Sequence, residues 1–177
     1  MTSATAVAPA PSRHARDGRP APRWAVRTAH LIPLLTLPSG LWRIALVAGV
    51  PLGTVGVDGP IGGWLAAYIV SLSVVSEALA LLAIGLVRPW GETFPRWLPL
   101  VGGRRVPPAF AVTAATAGAV ALILIWGYAA VNLVLGDLTG FTPGGFALLV
   151  VCYAPLLLWG PLLLALTAAY HQRRCRD

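Results

Sequence analysis

Two ionisable residues interrupt otherwise apolar sequence: Arg43 in LPSGLWRIALVAG and Glu77 in SLSVVSEALALLA. A guanidinium and a carboxylate in such surroundings can hold each other, bind a charged solute or pass a proton. Either charge alone at the centre of a bilayer would cost at least about 2.5–3.5 kcal/mol. Ser73 and Ser76 precede Glu77 by four residues and by one. Their hydroxyls, on or beside its helical face, can support the carboxylate. Pro38, Ser39 and Gly40 lie about one turn before Arg43, where a kink frees backbone carbonyls.

A second concentration of chemistry is the segment LVRPWGETFPRWLPLVGGRRVPP, residues 86–108, which holds five prolines and four arginines. The prolines forbid a continuous helix. Trp90 and Trp97, with Phe94 between them, are spaced to lie on one side of a short turn at the headgroup level. Arg88, Arg96, Arg104 and Arg105 then face lipid phosphates, and Glu92 can pair with Arg88 or Arg96. The expectation is a stiff interfacial anchor against an anionic inner leaflet. The alternative is a dedicated site for a phosphate or a partner.

Other reactive groups form no pattern. Cys152 falls in an apolar run and Cys175 in a basic tail, so no disulfide is expected between them in a reducing compartment. His14, His30 and His171 make no i, i+4 ligand pair, so neither a metal nor a cofactor is expected. With one intramembrane acid, no paired carboxylates and no nucleophile–base arrangement, the chain does not read as an enzyme.

The elements that must position these groups follow from composition. Of 177 residues, 57% are hydrophobic and 11% charged, and the mean hydropathy is +0.76, which makes lipid the solvent. All 13 cationic side chains are arginines. In a soluble protein a net charge of +7 would point to nucleic acid. Here the arginines flank apolar runs instead, so nucleic acid is not an expected partner. Four runs approach or exceed the roughly 20 apolar residues that cross a bilayer: Leu31–Leu52, Trp64–Val87, Phe110–Leu135 and Gly145–Ala169. Runs of that length must be helices, because lipid satisfies no backbone polar group. The fold class is therefore an all-α integral membrane protein with four transmembrane helices.

Charge orients them. Five arginines lie within residues 1–27, four between spans two and three, and three after span four, whereas the other two loops hold only Asp58 and Asp137. Four spans put all three basic segments on one side, and the positive-inside rule makes that side, with both termini, cytoplasmic. The organisation expected is a disordered Ala/Pro/Arg-rich tail over residues 1–26, a transmembrane domain over 27–170 and a basic tail over 171–177. The apolar run after the N-terminal tail is long and lacks a small-residue cleavage site, so a retained first helix is expected.

Depth can then be compared. Arg43 is twelve residues from Leu31, about 18 Å of helix, and Glu77 is ten from Val87, about 15 Å. Antiparallel neighbours at matching depth predict a direct intramembrane ion pair, serving either as glue between helices or as a solute pathway. Span three carries small-residue stripes, Thr113-Ala117-Ala121 and Ala114-Gly118, that allow close helix approach. Tyr128 and Asn132 could bond a neighbour or line a shallow vestibule, and Pro155 with Pro161 predicts a bend in span four.

The pattern RPWGE-x-x-PRW-x-P-x-x-GGRRVPP, with LPSGLWR in span one and YAPLLLWGPLL in span four, resembles an uncharacterised family of small actinobacterial membrane proteins. The lysine-free, alanine- and arginine-rich composition suits that origin. The resemblance covers residues 24–174 and implies a polytopic plasma-membrane protein, without an assigned activity. The function expected is a non-catalytic accessory or assembly protein. The alternative is a small oligomeric transporter or channel using Arg43 and Glu77. Partners would be membrane lipids of the anionic inner leaflet, further copies of the chain or a larger membrane complex.

Overall fold

The computed structural model describes residues 21–56, 59–88, 91, 103, 106–136 and 139–174. Its helices are α1 (Arg23–Val47), α2 (Gly63–Gly85), α3 (Pro108–Leu135), α4 (Pro143–Tyr153) and α5 (Trp159–Arg174). A 3₁₀ turn over Ala154–Leu158 joins the last two into one span, giving four helices long and apolar enough to cross a membrane.

Both ends of the bundle depart from the expected boundaries. α1 starts at Arg23, inside the stretch assigned to the tail, and α5 continues to Arg174, past the expected end of span four. Hydropathy marks the apolar layer, whereas a helix continues wherever its backbone bonds can. Pro22 holds an extended backbone and accepts the first helical bond from Val26 N–H at 3.2 Å. Ala25 and Ala29 then pack fully buried in the core.

Pro33 and Pro38 sit inside α1. Each removes one intrahelical N–H donor, a loss of roughly 3 kcal/mol in an ordinary helix interior. The carbonyls left without that donor are those of Ala29 and Leu34; the nearby hydroxyls bond other carbonyls of the helix, Thr36 Oγ1 lying 2.9 Å from Pro33 O and Ser39 Oγ donating to Thr36 O at 2.8 Å. Where a bend is expected in span four, the α-helix gives way to the 3₁₀ turn, in which Pro155 cannot supply its N–H.

The helices pack as α2 on α1, α1 on α5, and α5 on α3. The core gathers Ile32, Ala80, Ala83, Leu156, Trp159 and Leu166. α2 and α3 flank this arrangement and share no substantial contact. Between them lies an apolar cavity of about 620 Å³, lined among others by Leu79, Leu82, Phe110, Ala114, Gly118 and Trp159. The small-residue stripe through Ala114 and Gly118 therefore faces open space, and nothing lies within 4 Å of a methyl built on Gly118. The close approach is made elsewhere: Ala119, the one buried residue of α3 among those described, meets Gly160 of α5. Asn132 serves its own helix, donating to Tyr128 O at 2.8 Å.

Tertiary bonds fix which helix ends share a side. Val55 N–H donates to Gly140 O at 2.9 Å, and Thr142 N–H to Gly53 O at 2.8 Å, so the loops after α1 and before α4 pair at one end. Thr142 Oγ1 also caps α4 by accepting from Gly145 N–H at 3.1 Å. Gly53 has φ +76°, and the backbones of Gly53 and Gly145 touch so closely that a Cβ on either would strike the other. At the opposite end, Arg173 donates to Leu86 O at 2.8 Å. Arg23, Arg27, Arg88 and Arg173 consequently share that second end.

Candidate functional site

Two polar centres lie along the face of α1 that carries Thr36, Ser39 and Arg43. The first holds Glu77, which accepts from Thr36 Oγ1 at 2.7 Å across the α1–α2 contact. Thr36 is almost fully buried and sits near the middle of α1. Glu77 is eight residues from Gly85, about 12 Å of helix, so the carboxylate is deep in the apolar layer. Its neighbours Ser73 and Ser76 do not donate to it. Ser73 Oγ bonds Ile69 O at 3.0 Å and Ser76 Oγ bonds Leu72 O at 2.7 Å. A helical serine always has the i−4 carbonyl of its own helix in reach, and in apolar surroundings that acceptor wins.

The second centre holds Arg43, which is 8% exposed. Its Nη2 donates to Ser39 Oγ over a long 3.4 Å, and its guanidinium lies 5.9 Å from the Tyr153 ring centre. Among the described residues no ion pair joins Arg43 to Glu77. The direct contact expected from matched depth is replaced by one hydroxyl partner for each charge. The register explains this. Counting from Arg23 instead of Leu31, Arg43 is only four residues from the end of α1 at Val47. Thr36, seven residues or about 10 Å nearer the N-terminus, is the residue level with Glu77.

Tyr153 is a meeting point for three spans. Trp42 of α1 meets its ring edge-on at 5.6 Å between centres, and Trp126 of α3 does so at 6.0 Å. The indole N–H groups of Trp42 and Trp126 and the Nε–H of Arg43 are buried without a hydrogen-bond partner among the described residues. Donors buried without a partner are costly in the dry interior.

Of the interfacial residues, Arg88 is exposed at the end of α2. Trp90, Glu92, Arg96, Trp97, Arg104 and Arg105 lie outside the described residues, as does the tail before Ala21. Among the described residues no three His, Cys, Asp or Glu side chains gather as metal ligands would.

Thr36, Trp42, Trp126 and Tyr153 are site residues that sequence reasoning missed. One signal was present: Thr36, Ser39 and Arg43 are spaced i, i+3, i+7, which places them on one helical face. Nothing comparable marks Tyr153, whose role depends on packing between spans. No protein-family model matches this chain, and neither a curated protein nor a solved structure matches it.

Proposed function

We propose that this chain is a non-catalytic accessory or assembly protein of the plasma membrane, with both termini cytoplasmic. The observation that carries this reading is the pair of flanking helices. Among the described residues α3 packs on the fourth span and α2 chiefly on α1, and an apolar cavity separates them. Lipid gives apolar helices no solvophobic reason to associate, so faces left this open are suited to another helix or to lipid chains. The loop pattern supports grouping the chain with the small actinobacterial membrane proteins it resembles.

A photo-crosslinking residue at Leu124 or Tyr128, both well exposed on α3, should capture a second polypeptide in native membranes. The same probe at buried Leu166 should capture none. A chain that purifies alone, with no cross-link from α2 or α3, would overturn the accessory reading.

Orientation has a separate test. The shared end of Arg23, Arg27, Arg88 and Arg173 supports a cytoplasmic assignment by the positive-inside rule. In a cysteine-free background, cysteines at Gly59 and Thr139 should react with an impermeant thiol reagent in intact cells. A cysteine at Gly103 should stay unlabelled until the cells are opened; labelling beforehand would invert the topology.

A second reading, a small oligomeric transporter or channel, is favoured by Arg43, a buried cation with no carboxylate beside it among the described residues. That reading requires ion passage by this chain without other subunits.

A further inference from the structure

We propose that the cavity between α2 and α3 holds one acyl chain of an anionic phospholipid, whose phosphate sits at the arginine-bearing end beside Arg88 and Arg173. The inference does not rest on the accessory reading, because Leu124 and Tyr128, where a partner is sought, do not line this cavity.

The dimensions of the space select a single chain. It runs from Leu79 to Leu86 on α2, from Phe110 to Ile125 on α3 and from Trp159 to Tyr170 on α5. Those stretches measure about 10, 22 and 16 Å of helix. One leaflet of the hydrocarbon core, half its thickness, is about 15 Å deep. A further helix is excluded by volume. With side chains a helix is about 10–12 Å across, so one leaflet's length of it fills at least roughly 1,200 Å³, about twice the cavity's 620 Å³. A polar solute does not suit the walls either. Apart from the rings of Trp159 and Tyr170 the lining carries no polar side chain, and none is charged. Left empty, such a space forfeits dispersion contacts along its whole wall. Leu79 and Leu82 at its rim are more than half exposed, so the chains of the surrounding lipid reach it from the side.

Charge then selects the headgroup. The cavity reaches Leu86, whose carbonyl accepts from Arg173 at 2.8 Å. The same guanidinium lies 5.9 Å from the ring centre of Tyr170, a second lining residue, so it stands at the mouth. Arg88, two residues beyond Leu86, is exposed. A guanidinium carries five donors in a fixed fork and can serve a carbonyl and a phosphate together. Glu77, the one acid among the described residues, is about 14 Å of helix away from Leu86, so no described carboxylate neutralises this end.

The test is native mass spectrometry of the full chain in dodecyl maltoside, titrated with palmitoyl-oleoyl phosphatidylglycerol or with phosphatidylcholine of the same chains. One phosphatidylglycerol should bind in a strong first step, at least about fivefold tighter than phosphatidylcholine, the scale of one arginine at a charged lipid surface. Arg88→Gln should weaken that step by about fivefold. Gly118→Leu points into the cavity, where nothing lies within 4 Å of its Cβ, and should weaken the step about tenfold by overfilling the space. Gly127→Leu is equally unobstructed but lies outside the lining, and should leave binding unchanged. Equal weakening by the two leucines, or equal binding of the two lipids, would overturn the proposal. Displacement of the bound lipid by millimolar inorganic phosphate would also overturn it, since the site would then recognise phosphate without the chain. Should Gly118→Leu fail to fold, the wild type decides with a phosphatidylglycerol carrying a diazirine at mid-chain. Photoadducts concentrated on Leu82, Ala114 and Ala121 uphold the site, and adducts spread evenly to Leu124 and Val134 remove it.

Discussion

Gly160→Val detaches α3 from the rest of the bundle. A Cβ at position 160 would lie 2.5 Å from Ile123 Cγ1, 2.9 Å from Ala119 O and 3.1 Å from Ile123 N. The isoleucine side chain can rotate away, but the other two atoms are backbone of α3 and move only if that helix moves. Among the described residues α3 packs on α5 and the adjoining 3₁₀ turn, and Ala119, at this contact, is its only buried one. Overpacking in a tight core costs about 1–3 kcal/mol and more where backbone must yield, so valine should lose about 3 kcal/mol and alanine somewhat less. Gly118→Ala and Gly127→Ala are the controls, because nothing lies within 4 Å of a methyl at either position. They should be neutral, or stabilising by up to about 1 kcal/mol through helix propensity. Reversible unfolding in mixed micelles measures all four. Equal losses at positions 118 and 160 would show that the α3–α5 contact is not where α3 is held.

That contrast marks how far the sequence is legible. Apolar runs longer than a bilayer is thick dictate four helices, and Pro155 with Pro161 announces the break in the fourth, which the 3₁₀ turn realises. The small residues of span three predict close packing, yet Gly118 faces a cavity while Gly160, between a tryptophan and a proline, makes the contact. Small residues permit approach without requiring it, and the choice among stripes is made by the shapes of all the helices together. The same holds for the charged groups. Arg43 and Glu77 stand out by type, but their pairing depended on helix ends that hydropathy misplaces by up to eight residues, as at Arg23 against Leu31. An error of two turns exchanges one partner for another. Here it exchanged Thr36 for Arg43 as the residue facing Glu77.

The consequence is an asymmetric response at Thr36 and Glu77. Thr36→Val preserves shape and removes the one donor to the carboxylate among the described residues, 2.7 Å away. In a low-dielectric setting a hydrogen bond to a charged group contributes about 1.5–3 kcal/mol, and that loss should appear in full. Glu77→Leu strands nothing comparable, because the Thr36 hydroxyl then gives its one hydrogen to Pro33 O, 2.9 Å away. Replacing a buried charge by a packed apolar side chain is often neutral or stabilising, so this variant should keep or gain stability. The double variant Thr36→Val/Glu77→Leu should then resemble Glu77→Leu alone, with a coupling of about 1.5–3 kcal/mol between the two sites. Coupling between Arg43→Leu and Glu77→Leu should be smaller, since the structure interposes hydroxyls and about 10 Å of helix between those positions. A direct ion pair makes the opposite forecast: both charge removals damage the fold, their combination restores it, and Thr36→Val matters little. Unfolding free energies for the five variants distinguish the two arrangements, and rescue in Arg43→Leu/Glu77→Leu would return Arg43 to the place the structure gives to Thr36.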